Sequence, residues 1–114
     1  MEAINLARNI ANFLEEKKGE DIVVLDIKGV ASFTDYFVIA SGTSKRMLQS
    51  LASSLGREVK TNYHKTNQPQ GNADGGWIVF DYGDVVVHLF SPEKRDYYLL
   101  EDLWSQGSVV LRLM

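Results

Sequence analysis

Cysteine is absent from the 114 residues. That excludes disulfides, thiolate-ligated zinc and thiol nucleophiles, and it fits a reducing compartment. Histidine is nearly as scarce: His64 and His88 are the only two, too few for a histidine-based metal cluster. No apolar run approaches the ~20 residues of a membrane helix. The opening stretch MEAINLARNIANFLEEKK carries acids and no signal-type apolar block, so a cytoplasmic location is the expectation. An excess of cations is lacking as well. The net charge of −3 gives no electrostatic reason to expect nucleic acid as a direct partner. A local basic patch remains around Arg57, Lys60, His64 and Lys65, and its ordinary reading is a solvated helix end and loop.

What is present is the composition of a soluble globular protein, 45% hydrophobic and 24% charged, at a length that suits one domain over residues 1–114. Residues 2–18 place Ala3, Ala7, Ile10, Ala11 and Leu14 on one stripe, the spacing of an amphipathic helix that Gly19 can cap. Asp21 to Ile27 is a β-branched run typical of a buried strand, and Tyr36 to Ala40 is a second. Ser41-Gly-Thr-Ser44 opens a helix, with Thr43 or Ser44 as N-cap and Met47, Leu48, Leu51, Ala52, Leu55 and Val59 on its apolar side. Residues 60–76 are polar, with a short edge strand expected near Tyr63 to Thr66. Ser91-Pro92-Glu93 is a helix start. That helix carries Tyr97, Tyr98, Leu99, Leu100, Leu103 and Trp104 and ends before Gly107, leaving an alternating tail that reads as an edge strand or a loosely held end. The order α-β-β-α-β-β-α predicts an α/β (α+β) fold with a mixed sheet of four to five strands.

The stretch Trp77-Ile-Val-Phe-Asp-Tyr-Gly-Asp-Val-Val-Val-His-Leu-Phe90 reads as a hairpin, apolar on both faces. A two-residue turn at Tyr82-Gly83 sets Asp81 opposite Asp84. Ile78, Phe80, Val85, Val87 and Leu89 then share a purely apolar face, and Trp77, Val79, Asp81, Asp84, Val86 and His88 share the other. A three-residue loop with a glycine bulge mixes the two sets and is the less favoured register. Helices of this number and length leave the mixed face only partly covered. An aromatic patch rimmed by carboxylates has the composition of a protein-binding surface.

Chemistry has little to work with. Asp84 and His88, four apart on one strand, stand about 13 Å from each other and cannot share a metal ion. Asp81 and Asp84 approach across the turn, where aspartate is an ordinary turn residue. Ser41 and Ser44 have no evident base. The Ser41-to-Ser44 turn resembles the phosphate-holding turn of nucleotidyltransferases, but no D-x-D pair follows it. A metal-dependent nucleotidyl- or phosphotransferase using that turn with Asp81 and Asp84 is the alternative function. An RNA-binding accessory protein using Arg57 to Lys65 is a third.

DYFVIASGTS (35–44), WIVFDYGDVVVHLF (77–90) and RDYYLLEDLW (95–104), in this order and spacing, resemble the ribosomal silencing factor family RsfS, also called Iojap-like. The resemblance runs from the first helix to Trp104, with 107–114 as a variable tail. It departs at Gln70-Gly71, where relatives often carry Glu-Gly. It implies a nucleotidyltransferase-like domain without catalytic residues, without cofactor or metal, and therefore not an enzyme. The implied partner is the large ribosomal subunit, bound through its protein fourteen at the intersubunit face. Joining of the small and large subunits would be blocked and translation repressed, with a homodimer possible off the ribosome and only incidental rRNA contact. Carried onto this chain, the docking role falls on Trp77, Asp81, Tyr82, Asp84 and His88, with Tyr98 and Trp104 as hydrophobic partners. Asp35 and Tyr36 order the loop beside them, and Tyr97, Leu100 and Leu103 belong to the core.

Overall fold

Alternation between strand-like and helix-like apolar patterns is realised as a six-stranded mixed sheet with helices. The computed structural model describes residues 2–98 and 107–113. In chain order the elements are α1 (Ala3–Glu16), β1 (Glu20–Asp26), β2 (Tyr36–Ser41), α2 (Lys45–Tyr63), β3 (Gln70–Asn72), β4 (Trp77–Asp81), β5 (Val85–Phe90), α3 (Pro92–Tyr98) and β6 (Ser108–Leu113). Across the sheet the strands run β3-β4-β5-β2-β1-β6. Among the described strands only β2 and β5 pair in parallel, and the passage through α2 supplies the crossover such a pair needs; the remaining neighbours are antiparallel.

The sheet is larger than four or five strands for two reasons. The tail is a sixth strand paired along β1. The expected short strand forms at Gln70–Asn72, not near Tyr63, because α2 runs on through Tyr63 before His64 closes it in the left-handed conformation.

Both helices at the front keep the stripes their sequences set. α1 buries Leu6, Ala7, Ile10, Ala11 and Leu14, and α2 buries Leu48, Leu51, Ala52, Leu55 and Val59. These meet Ile22, Val24, Val38, Ala40, Ile78, Phe80, Val85, Val87 and Leu89 from alternate positions of the strands, forming the main core. The α1 end differs from expectation: Lys18, not Gly19, takes the positive φ of 74°. Capping of α2 follows expectation, since the Ser44 hydroxyl accepts the Met47 N–H at 3.0 Å. The Ser91 hydroxyl likewise accepts the Lys94 N–H at 3.3 Å.

Gly42 joins β2 to α2 at a close approach. A Cβ there would stand 2.8 Å from Leu48 Cα and 2.9 Å from Leu48 N, backbone that cannot step aside. Gly42→Ala is therefore expected to cost about 2 kcal/mol, the usual scale of overpacking, read as a lowered urea midpoint with an unchanged m value.

Candidate functional site

Opposite the α1–α2 layer, the sheet carries a second cluster: Val23, Leu25, Ile27, Phe37, Ile39, Val86 and Phe90, with Ala31, Trp77 and Val79 half-buried at its margin. Strand parity puts it there. β4 and β5 pair Trp77 with Phe90, Val79 with His88 and Asp81 with Val86, so these six side chains face one way.

The two faces are thus sorted as the favoured register predicts, but the turn is one residue further along. Tyr82 N–H donates to Val85 O at 2.9 Å, and Gly83-Asp84 are the two turn residues. Gly83 sits at φ 87°, the first-position glycine of a II′-like turn. Asp81 consequently faces Val86, not Asp84. Tyrosine avoids positive φ, and moving the turn by one residue relieves it without changing the parity of either strand.

An aromatic row crosses this second face. Phe33 lies 6.0 Å from Phe37, and Phe37 meets His88 edge-on at 4.6 Å. His88 stands 5.9 Å from Trp77, which stacks on Phe90 at 5.0 Å. Trp77 Nε1 donates to His88 Nδ1 at 3.1 Å. Indole only donates, so Nδ1 accepts and the proton of the neutral imidazole is on Nε2. Nε2 is buried with no hydrogen-bond partner among the described residues. Burial pushes the His88 pKa down to about 4.

Exposure is uneven along the row. Val86, His88 and Phe90 are buried, so the centre is more completely covered than the expected half-open patch. The ends are not: Phe33 is 60% exposed, Val30 36%, and Trp77 is half-buried. Carboxylates stand around it, with Asp81 and Asp84 exposed and Asp35 partly so; Asp26, paired with Tyr36, belongs to the α1–α2 face. Asp81 Oδ1 accepts the Gly83 N–H at 2.9 Å, the turn role its sequence position suggests.

Three sequence-derived site residues lie where a partner does not reach them, and two more are not placed. His88 is too buried to meet a partner; its geometry fixes the Trp77 indole. Tyr36 and Tyr82 are buried in the opposite cluster, against the α1–α2 layer, because Tyr36 shares parity with Val38 and Tyr82 pairs with Val85. Burial raises the Tyr82 hydroxyl to about 12. Trp104, with Leu100 and Leu103, lies outside the described residues, and Tyr98 is placed only as the last residue of α3.

Asp35 does order its surroundings, through the backbone. Its N–H and that of Tyr36 donate to Asp84 O at 3.1 and 3.0 Å, while its carbonyl accepts from Ile27 N at 2.9 Å. The turn and the β1–β2 connection are held together at one corner. Lys28 closes that corner, donating to the Tyr36 hydroxyl at 3.0 Å. The Tyr36 hydroxyl and, after it, the Asp26 carboxylate raise the Lys28 pKa. Phe33 was the residue missed: its only signal is an aromatic standing in an otherwise turn-like stretch, Lys28 to Asp35.

The 41–44 turn has structural partners. Ser44 caps α2, and the Ser41 hydroxyl accepts from buried Arg95 at 2.9 Å. Among the described residues no three His, Asp or Glu side chains gather as a metal site, and no helix is long and apolar enough to cross a membrane.

Fold and site together define a mixed-sheet α/β protein with a partly exposed, acid-rimmed aromatic strip on the sheet face away from α1 and α2. Residues 1–112 match the family model described as "Ribosomal silencing factor during starvation", RsfS. The ribosomal silencing factor RsfS of Halalkalibacterium halodurans is 34% identical over 99 residues, covering 87% of this chain and 85% of its own. A crystal structure of a Chromobacterium violaceum protein superposes with a TM-score of 0.86 at 34% identity, covering 97% of this chain and 94% of the other. The mouse protein named "Mitochondrial assembly of ribosomal large subunit protein 1" is 33% identical over 87% of this chain, which spans 45% of that longer relative. The chain belongs to the ribosomal silencing factor family, RsfS.

Proposed function

We propose that this protein docks on the large ribosomal subunit, through its protein fourteen at the intersubunit face, and blocks joining of the small subunit by occupying that surface. The act is steric, makes and breaks no bond, and takes place in the cytoplasm on a single-domain chain. The carrying observation is the strip that ends in exposed Phe33 and half-buried Trp77, ringed by Asp35, Asp81 and Asp84. Aromatic anchors with a charged rim are the composition of a hot spot, and the acidic rim suits a basic protein. Family membership and the large-subunit name of the mouse relative support the same reading. Off the ribosome, two copies covering each other's strips would form a homodimer.

Sedimentation of purified small and large subunits through a sucrose gradient tests it. A several-fold molar excess of protein is expected to move most of the joined-ribosome peak into free subunits. An unchanged joined peak at saturating protein would remove the steric mechanism.

A further inference from the structure

The charges of this chain are segregated. Residues 45–65 hold five of the twelve Lys and Arg and one of the fifteen Asp and Glu, so that segment is +4 while the remainder is −7. Nearly all of the segment is α2, the helix that packs on the sheet face opposite the aromatic strip.

At 100° per residue, Arg46, Ser53, Arg57 and Lys60 fall within about 60° of one another, with Gln49 and Ser50 on either side of them. This stripe lies opposite buried Leu48, Leu51, Ala52, Leu55 and Val59, and all six of its side chains are exposed. From Arg46 to Lys60 it runs about 21 Å, at ~1.5 Å per residue. Lys65 extends it past the helix end. There Lys60, Lys65, Thr66, Asn67 and Gln68 line a hollow of about 280 Å³.

Two features set the stripe apart from a merely solvated helix face. The first is the lack of counter-charge. Lys45 pairs with Asp74, but Arg46, Arg57, Lys60 and Lys65 have no acidic partner within ion-pair distance among the described residues. Glu58, the one acid on α2, stands about 100° from Arg57, off the stripe. The second is the interleaving. Every position between the cations on this stripe is Ser or Gln, groups that bond to phosphate oxygens and ribose hydroxyls, and none is a large apolar residue. A protein hot spot needs aromatic or aliphatic anchors, and a membrane-surface helix needs an exposed apolar face. This stripe has neither.

We infer that the outer face of α2 is a phosphate-backbone contact for A-form RNA. Arg46, Arg57, Lys60 and Lys65 meet phosphates, and Gln49, Ser50 and Ser53 face the wide, shallow minor groove between them. Recognition is by shape and charge, not base sequence. The idea builds on the proposed docking without depending on it: the acid-rimmed strip would take a basic protein while α2, on the other side of the sheet, reaches neighbouring RNA.

The test is fluorescence anisotropy with a labelled RNA hairpin of about 16 base pairs, from about 50 to 200 mM salt. Four phosphate contacts on a duplex predict a slope of log K against log salt of about −3.6. Arg46→Gln/Arg57→Gln/Lys60→Gln is expected to bring that slope to about −1 and to weaken binding at low salt tenfold or more. All three sites are exposed and glutamine is a good helix former, so the fold should survive; circular dichroism checks it. The charge-matched control Arg8→Gln/Lys18→Gln/Arg112→Gln should bind within about twofold of the parent. Absence of RNA binding, equal losses in both variants, or equal affinity for phosphatidylserine vesicles would overturn the inference. Parent protein that ignores large subunits yet holds the hairpin through these three side chains supports it and removes the docking reading instead.

Discussion

Phe33→Ala combined with Trp77→Ala is expected to lower affinity for large ribosomal subunits by two to three orders of magnitude. Aromatic anchors at the centre of an interface typically lose roughly 2 kcal/mol or more each on truncation, about 30-fold apiece, and neighbouring anchors are not strictly additive. The two residues separate binding from stability. Phe33 is 60% exposed, so Phe33→Ala alone should lower the urea midpoint less than Trp77→Ala does while weakening binding at least tenfold. Trp77 stacks on Phe90 and donates to His88, so Trp77→Ala should cost stability as well, about 2 kcal/mol for lost burial and an orphaned acceptor. Pelleting with large subunits, alongside urea melts, measures both. A Phe33→Ala protein that pellets like the parent would take that end of the strip out of the interface.

The second large effect is in the acid limb of stability. His88 is neutral in the folded protein, with a pKa near 4 against 6.5 for the free side chain. Above pH 6.5 both folded and unfolded forms are neutral there, and the residue adds no pH dependence. Below 6.5 the unfolded chain takes up a proton that the folded chain refuses. Stability therefore falls as pH drops and stops falling from this source once the folded form protonates near pH 4. At 1.36 kcal/mol per unit, the loss is about 3 kcal/mol. Carboxylates contribute their own slope, so the informative quantity is a difference: His88→Leu should flatten the fall between pH 6.5 and 4 by about that amount. Identical slopes in parent and variant would contradict a buried neutral His88. Because His88 holds the Trp77 indole, loss of large-subunit binding should accompany its protonation.

Period-two alternation makes the faces of the hairpin readable: Ile78, Phe80, Val85, Val87 and Leu89 join the cluster under α1 and α2, and Trp77, Val79 and Val86 join the opposite one. Two registers of equal parity sort the side chains identically, so the pattern leaves the turn open by one residue; the Tyr82 N–H bond to Val85 O and the pairing of Asp81 with Val86 tell them apart. β3 left no apolar trace, since Gln70, Gly71 and Asn72 are all exposed and pair with β4 through the backbone. The site was legible in part. Trp77 and the carboxylates fall where the composition placed them. A polar residue on a mixed face suggests exposure for His88, yet the rings of Phe37, Trp77 and Phe90 enclose it. Tyr36 and Tyr82 follow the parity of Val38 and Val85, a rule that outranks the attraction of grouping aromatics near one motif. Phe33 sits in a connection with no periodicity, where pattern reasoning has nothing to count.

A photo-activated cross-linker placed at position 33, and separately at position 53 on the outer face of α2, tests the docking surface most directly. On purified large subunits, position 33 should yield one dominant protein adduct, to ribosomal protein fourteen, and position 53 should yield none to that protein. Adducts from position 33 to small-subunit proteins, or no adduct at saturating protein, would contradict the account.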